Sequence, residues 1–390
     1  MNKAGLQVAG SPEVILTCNY SPWSRYSGGA QKSVHMIALE MARQGMSVIV
    51  VYSKAPWEKV VVPSGLSYSI HWAWFWAFRP GISSPLRFLN GISFYFTVRG
   101  LASVNTVLHG NGDEASLFGL IKAKRCFVYN NRYPEFPPFL SGAKWERVGT
   151  WLRIFFQEPR FIAIALGMRN ADRVTVTSGY SLEEVGRCFG VGPEKAQVVP
   201  NGVDPVFLET PLEIGDQRGV LFYGRLTRAK GADLALEAYA ILPADVRERH
   251  PLLIIGHGPM RKELEERAND LHLSNVAFID WKGGAELAQE ILSRKVICLP
   301  SREESFGNTV VEALALGQTL VSTRAGSIPE VVGPWGTLVS NESPSELAVA
   351  LEAELKRNRP LEERESQRKF IRFEYSWAKT VNSFRQIYGE

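Results

Sequence analysis

A chain of 390 residues, 45% of them apolar, is long for a single core, and two domains or more are expected, each with ample apolar area to bury. Its four cysteines, Cys18, Cys126, Cys188 and Cys298, are scattered, with no CxxC pair and no histidine-rich neighbourhood, which argues against a disulfide framework or a zinc site and fits a reducing cytosol. Net charge is only +4, but 21 Lys+Arg stand against 13 Asp+Glu through Pro205 and 23 against 27 beyond it, so a basic half carrying seven of the ten tryptophans precedes an acidic one.

The N-terminal MNKAGLQVAGSPEV has no apolar signal region, and no run approaches the roughly 20 apolar residues that span a bilayer. A cytoplasmic protein is expected, at most in contact with the inner face of a membrane. The basic, tryptophan-rich half suits an anionic, amphipathic partner such as a membrane surface or a lipid-linked acceptor. Nucleic acid is disfavoured, because no Lys/Arg run, zinc spacing or RNP-like aromatic pattern is present.

Val14–Thr17 reads as a short strand, followed by a loop with Gly28 and Gly29, a helical pattern from about Ala30 to Gln44 closed by Gly45, and a second strand over Ser47–Tyr52. Gly28 and Gly29 can bring backbone N–H groups close to a ligand or simply make a tight turn. They do not form a GxGxxG fingerprint, and a dinucleotide site is not expected. Ile70–Leu101 is densely aromatic, with Trp72, Trp74 and Trp76 alternating as in a strand or irregular surface and Arg79, Arg87 and Arg99 interleaved. Core packing and contact with anionic lipid headgroups both fit it.

Strands follow at Thr106–His109, ending in HGNGDE, and at Cys126–Tyr129, ending in NNRYPEF. In a doubly wound sheet the carboxyl ends of strands line the ligand site, which makes His109, Asn111, Asn130, Asn131 and Arg132 candidates. A lone His109 equally fits a structural hydrogen bond. Trp145–Asn170 reads as a helical pair broken at Pro159, Arg173–Thr177 as a strand, and Ser181 as the cap of a helix reaching about Phe189. In VVPNGVDPVF, Asn201–Gly202 is a turn stiffened by Pro200 and Pro205, and the domain boundary is placed here. The expected domains are 1–205, rejoined by 375–390, and 206–374.

The second half repeats strand, loop, helix. After the strand Val220–Tyr223 comes GRLTRAKG, where Gly224, Arg225 and Lys230 precede a helix from about Ala232. Arg225, by a bidentate fork, and Lys230, as a point charge, are suited to clamp a diphosphate, although each alone also fits a solvated basic turn. No Walker A motif is present. Leu252–Ile255 ends in GHGPM, with Gly256 and Gly258, and Val276–Ile279 ends in DWKGG, each followed by a charged helix. The strand Val296–Leu299 then opens LPSREESFGNTVVEALALGQTLVSTRAGSIPE, in which Asn308 caps a helix, Gly317 stops it and Thr319–Ser322 is the next strand.

That last stretch places backbone N–H groups and a helix N-terminus at a strand end, which is an anion site. Glu304 and Glu312, eight positions apart, accept hydrogen bonds only, and a vicinal diol offers matching donors, so a sugar carrying a phosphate is the expected ligand. Taken singly, Glu312 also fits a helix-dipole partner and Glu304 a solvated loop residue. Ser343 or Ser345 starts a further helix, and the closing helix around Trp377 is expected to cross back to the first domain.

Four motifs, SGGAQKSV, VVPNGVD, YGRLTRAKG and SREESFGNTVVEALALG with GSIPEVV, resemble in order those of retaining glycosyltransferases of glycosyltransferase family 4. The likeness is strongest over Val198–Val332. It implies an α/β GT-B fold, two doubly wound Rossmann-like domains facing across a cleft, the first taking the acceptor and the second the nucleotide-sugar donor. The activity implied is retaining transfer of a hexosyl group from a UDP-sugar, or a GDP-sugar, to a glycan or lipid-linked acceptor in cell-surface polysaccharide or lipopolysaccharide assembly. From the resemblance, Arg225 and Lys230 hold the donor diphosphate, Glu304 the transferred sugar and Glu312 the ribose. The backbone of Phe306, Gly307, Asn308 and Thr309, with Gly224, Gly256 and Gly258, adds to the donor site, and Gly28–Gly29 approaches the diphosphate. Two cations can stabilise the leaving group, so no metal and no tightly bound cofactor is expected.

Where relatives place a histidine near the transferred sugar, this chain reads YNNRY, so Asn130 or Asn131 stands there and cannot carry charge. Arg132 is a further candidate for sugar or acceptor contact. The competing readings are a sugar-nucleotide epimerase or phosphorylase, for which no motif is present, and a non-catalytic sensor, which the missing histidine motivates.

Overall fold

A computed structural model describes residues 13–24, 27–55, 57–74, 88–129, 159–212 and 215–389. The chain parts into two compact units, Met1–Pro200 with Trp377–Glu390, and Asn201–Ser376. The candidates Asn130, Asn131 and Arg132, together with Trp76, Arg79, Arg87 and Trp145 to Glu158, lie outside the described residues.

The first unit holds a seven-stranded sheet, β1 Val14–Cys18, β2 Val48–Lys54, β3 Ser69–Trp74, β4 Val107–Gly110, β5 Lys124–Tyr129, β6 Arg173–Val176 and β7 Ala196–Val198, in the order β3-β2-β1-β4-β5-β6-β7. All its ladders are parallel. Strands of a parallel sheet are covered on both faces, and the period of two divides the core accordingly. Val14 and Leu16 join one apolar cluster with Val34, Ile37 and Met41 of the helix Gly29–Arg43, while Ile15 joins another with Phe94, Ile164 and Met168.

The closing helix, Trp377–Tyr388, belongs to the first of these clusters, to which it gives Trp377, Val381, Phe384 and Tyr388. Their spacing of four, three and four residues lines one helix face. Thr380 Oγ1 also donates to the Pro200 carbonyl at 2.8 Å. Beneath this helix lies His109, fully buried, with Nδ1 2.5 Å from the Tyr388 hydroxyl and its ring edge-on to Phe384. The structural hydrogen bond is therefore the role His109 plays, and the ring is sealed from any ligand that would lie at the strand end.

Burial pulls the His109 pKa down to about 3. An unfolded chain takes up a proton on this ring near pH 6.5 and the folded one does not, so stability is full above that pH and falls as the pH drops toward 3. Replacing His109 by Phe is expected to remove a slope of about 1.4 kcal/mol per pH unit between roughly pH 6 and 3, read from urea unfolding at several pH values.

Other first-unit elements follow the sequence with local differences. Ser178, not Ser181, caps the helix Gly179–Phe189: its extended backbone lets Oγ accept from the Ser181 amide at 3.1 Å. Pro159 opens the helix Pro159–Asn170, a position where its missing N–H is harmless. The aromatic stretch enters β3, where Trp72 is half-buried and Trp74 is 54% exposed, and Phe96 on the neighbouring helix Phe88–Arg99 is 66% exposed.

The second unit holds a six-stranded sheet, β8 Val220–Tyr223, β9 Leu252–Ile255, β10 Val276–Ile279, β11 Val296–Leu299, β12 Leu320–Thr323 and β13 Gly336–Val339, in the order β10-β9-β8-β11-β12-β13 and again parallel throughout. Both units thus show the doubly wound architecture expected from the alternation of strands and helices. In β8, β9 and β11 every residue is buried, as continuous apolar runs require, and β12 is buried as well, its Ser322 and Thr323 hydroxyls donating to the Leu299 and Ser301 carbonyls. Ser343 proves to be the cap of the helix Pro344–Lys356, its Oγ accepting from the Glu346 amide. All four cysteines are buried.

Candidate functional site

The carboxyl ends of β8 and β11 are neighbours because the two strands pair in parallel. The loop after β8 (224–231) and the loop after β11 (300–307) are therefore forced together, and they are bonded to one another. The amides of Arg302 and Glu303 both donate to the Ala229 carbonyl, at 2.8 and 3.4 Å. Arg302 adds a bidentate pair to Asp233 with both bonds at 2.8 Å, one bond to the Arg228 carbonyl at 2.8 Å and one to Glu342 at 2.5 Å. These carboxylates hold the guanidinium pKa above its usual value, the Asp233 bonds first.

Within this frame Lys230 Nζ donates to Glu304 Oε1, which also accepts from Ser301 Oγ at 3.1 Å. The Glu304 side chain is 7% exposed and that of Lys230 21%. Glu304 is thus not a solvated loop residue but one half of a largely buried ion pair. Its backbone is fixed as well: the Glu304 carbonyl accepts from the Ser327 amide at 3.1 Å, and Gly326 passes so close that a Cβ there would fall 2.0 Å from that oxygen.

Lys230 ends a short 3-10 turn, Arg228–Lys230, and the next residue, Gly231, takes φ +72° before the helix Ala232–Ile241. Arg225 lies at the start of the same loop, exposed, and its guanidinium makes no hydrogen bond or ion pair with the described residues. One cation of the predicted clamp is therefore tied to Glu304 and the other is turned to solvent.

The helix Asn308–Ala315 is capped by Gly307 rather than by Asn308. Gly307 has φ +88°, which turns the chain one residue earlier than the sequence suggests and leaves Asn308 already helical. The amides of Val310 and Val311 turn back to the Gly307 carbonyl, whereas those of Asn308 and Thr309 open the helix and have no carbonyl a turn earlier to reach. Phe306 is buried edge-on to Tyr375 in the core, so its backbone, not its ring, is what it can offer a ligand.

Glu312 lies one turn into the helix, partly exposed, beside the wholly buried Tyr223, whose hydroxyl donates to the Thr309 carbonyl at 2.5 Å. Burial first and the Glu312 charge second push the Tyr223 hydroxyl pKa well up. Gly224, Gly256 and Gly258 let the β8 and β9 loops touch: a Cβ on Gly256 would fall 1.9 Å from the Gly224 carbonyl oxygen and one on Gly258 2.4 Å from that of Leu226.

In the first unit, Gly28 precedes the helix Gly29–Arg43, with its amide donating to Gln31 Oε1 at 2.9 Å, and Gly29 is exposed at the helix start. Asn111 is buried, its Nδ2 donating to the Thr17 carbonyl at 2.9 Å and its amide to Glu114 Oε1 at 2.9 Å. Here the sequence reading passed over Asp113 and Glu114, both buried, which accept from Asn19 Nδ2 at 3.1 Å each. Two adjacent acids after a strand ending in His-Gly were the available signal. The Arg302–Asp233 pair was also missed, and nothing in the spacing of residues 69 apart could have revealed it.

Two family models match the chain in succession, the one described as Glycosyltransferase Family 4 over residues 27–207 and the one described as Glycosyl transferases group 1 over residues 208–375. A D-inositol 3-phosphate glycosyltransferase of Actinosynnema mirum is 32% identical over 203 residues, which are 46% of this chain and 48% of that protein. The chain spans about half the length of the curated relatives it matches. Among solved structures, a sucrose-phosphate synthase from Thermosynechococcus elongatus superposes with a TM-score of 0.75 at 18% identity, covering 96% of this chain and 98% of that one. HepE of Anabaena, in complex with UDP and glucose, superposes with a TM-score of 0.70 at 17% identity, covering 96% and 99%.

Proposed function

We infer that this chain, which belongs to the glycosyl transferases of group 1 and has the GT-B fold, moves a hexosyl group from a nucleotide-sugar to a hydroxyl acceptor with retention of anomeric configuration. The observation that carries this reading is the Lys230–Glu304 pair, which puts a cation and a sugar-reading carboxylate side by side at the mouth of two bonded strand-end loops. The second unit takes the donor. Lys230 and Arg225 neutralise its diphosphate, the amides opening the helix Asn308–Ala315 add donors, Glu304 accepts from hydroxyls of the transferred sugar, and Glu312 accepts from the ribose diol.

In the reaction the bond from the anomeric carbon to the diphosphate oxygen breaks, and the acceptor oxygen bonds to the same face of that carbon. The acceptor's proton passes to the departing phosphate oxygen. Charge develops on the diphosphate, which the exposed Arg225 and the ammonium of Lys230 would turn toward to neutralise, and no metal is needed for that stabilisation. A UDP-sugar is the favoured donor and a GDP-sugar the second choice. UDP bound to HepE, a protein of like fold, supports that order.

The acceptor is a glycan or a lipid-linked intermediate of cell-surface polysaccharide or lipopolysaccharide assembly, taken by the first unit at the cytoplasmic membrane face. The support is the edge where Trp74 and Phe96 are exposed, Lys54 lies over Trp72 at 4.9 Å and Arg99 over Tyr95 at 5.8 Å. Among the described residues no helix is long and apolar enough to cross a membrane.

Thermal-shift screening of UDP-, GDP- and ADP-sugars identifies the donor, since a ligand stabilises the fold according to its occupancy. Arg225→Ala is expected to weaken donor binding about tenfold or more by titration calorimetry while leaving the melting temperature of the ligand-free protein unchanged, because the guanidinium is exposed. Full donor affinity in that variant overturns the clamp. Transfer that survives excess EDTA supports the metal-free reading, and a protein that binds donor yet releases no nucleotide, with or without acceptor, is a sensor rather than an enzyme.

A further inference from the structure

We propose that the second unit carries a site for a phosphoryl group at the amino-terminal edge of its sheet, built by Arg364, Gln318, Arg359 and Lys295. The residues lie where β11 and β12 begin, whereas the donor loops follow the carboxyl ends of β8 and β11, so this is a separate place on the opposite edge of the sheet. They line a pocket of about 30 Å³ whose mouth is formed by the exposed Arg357 and Asn358.

The pocket is lined by donors that have more N–H groups than acceptors to receive them. Arg364 is 8% exposed, and its Nε donates to the Gly317 carbonyl at 3.2 Å, but its buried Nη2 has no hydrogen-bond partner among the described residues. Gln318 is 1% exposed, and its Nε2 likewise has none. Arg359 donates to Gly317 O at 3.4 Å, to Gln367 Oε1 at 2.7 Å and to Glu363 at 2.9 Å. Glu363 is shared with Arg357 at 2.8 Å. The Lys295 ammonium has no carboxylate partner among the described residues, and Arg364 has none either.

Capping of the helix Asn308–Ala315 accounts for part of this. Its last carbonyls, with those of Gly317 and Gln318, are taken by Gln367, Arg368, Arg359 and Arg364, as positive groups at a helix C-terminus should do. That role uses Nε of Arg364 and leaves Nη2 and the Gln318 amide over. A buried N–H without an acceptor is costly, and Arg and Lys have no acceptor of their own to exchange, so the missing partner is an acceptor. Burial, and then the Arg359 charge, hold the Arg364 pKa below its usual value, so the partner is favoured further if negative. A tetrahedral dianion offers several oxygens to a guanidinium, an amide and an ammonium arriving from different directions. Inorganic phosphate and the phosphate of a small monoester share this chemistry.

The test titrates the full chain with inorganic phosphate, and separately with glycerol 3-phosphate, by calorimetry and thermal shift against sodium chloride of matched ionic strength. The wild-type chain and Arg225→Ala, whose donor clamp is weakened, should both gain melting temperature with phosphate. Lys295→Gln, a change at a half-buried side chain with no carboxylate partner among the described residues, should lose about tenfold in phosphate affinity with its own melting temperature kept, and Arg364→Gln should lose binding altogether. Equal binding of both probes identifies a phosphorylated small molecule as ligand, and binding of inorganic phosphate alone identifies the free ion. Absence of a shift beyond that of chloride, or a shift abolished by Arg225→Ala and untouched by Lys295→Gln, overturns the site.

Discussion

Lys230→Met is expected to lower the transfer rate by about 100-fold or more and to destabilise the second unit by about 3 kcal/mol at the same time. The two effects share one cause. Nζ of Lys230 is the cation beside Glu304, whose side chain is 7% exposed, and methionine keeps the stem while removing the charge. Glu304 is then a nearly buried carboxylate with, among the described residues, only Ser301 Oγ to satisfy its side chain, which is the costly way to break an ion pair. The partner change, Glu304→Gln, should behave differently. Glutamine keeps an acceptor for Ser301 and leaves a lysine that can reach solvent, so most stability should remain while transfer still falls. Urea unfolding and steady-state rates on the two variants separate the terms. A Lys230→Met protein with unchanged rate removes the lysine from the chemistry, and one with unchanged stability removes the pair from the fold.

Gly231→Ala should cost about 3 kcal/mol or more and abolish donor binding, an effect out of proportion to one methyl group. Gly231 has φ +72°, where an L-residue already costs roughly 1 kcal/mol, and its Cβ would fall 1.9 Å from the carbonyl oxygen of Pro300. That oxygen is backbone and cannot swing away. The loop after β8 would have to part from the loop after β11, carrying Lys230 away from Glu304 and Ala229 away from the amides of Arg302 and Glu303. Gly45→Ala is the control: φ is positive there too, at +87°, but beyond the chain neighbours no atom of the described residues lies within 4 Å of the added carbon, so only the backbone cost of about 1 kcal/mol should appear. Similar losses in the two variants would mean that the Pro300 contact is relieved without disturbing the site.

Much of the second unit was legible because its signals are local. Continuous apolar runs of four residues at Val220, Leu252, Val276 and Val296, each followed by a glycine-bearing loop and a helical period, can be read without knowing what lies across the sheet, and the strands begin and end where those runs do. Glu304, Lys230 and Arg225 were likewise singled out by residue type and by position at strand ends. In the first unit five of the seven strands were legible for the same reason, whereas β3 was left open between a strand and an irregular surface and β7 was not read, and the ligand-facing candidates were not legible, because aromatic and polar residues at strand ends serve packing and binding alike.

By itself, then, the sequence determined that two parallel α/β sheets form, where most of their strands run, and that cations, carboxylates and glycines gather at the strand ends of the second. Tertiary structure decided which of those residues are partners. Parallel pairing of β8 with β11 put Lys230 on Glu304 across 74 residues of chain, made Arg302 the brace between the loops through Asp233, and left Arg225 turned to solvent. It also sealed His109 under a helix 279 residues away. The physical reason is range: hydrophobic periodicity and capping act over a few residues and are written along the chain, whereas an ion pair or a buried hydrogen bond is made by whichever groups the packing of distant elements brings within about 3 Å.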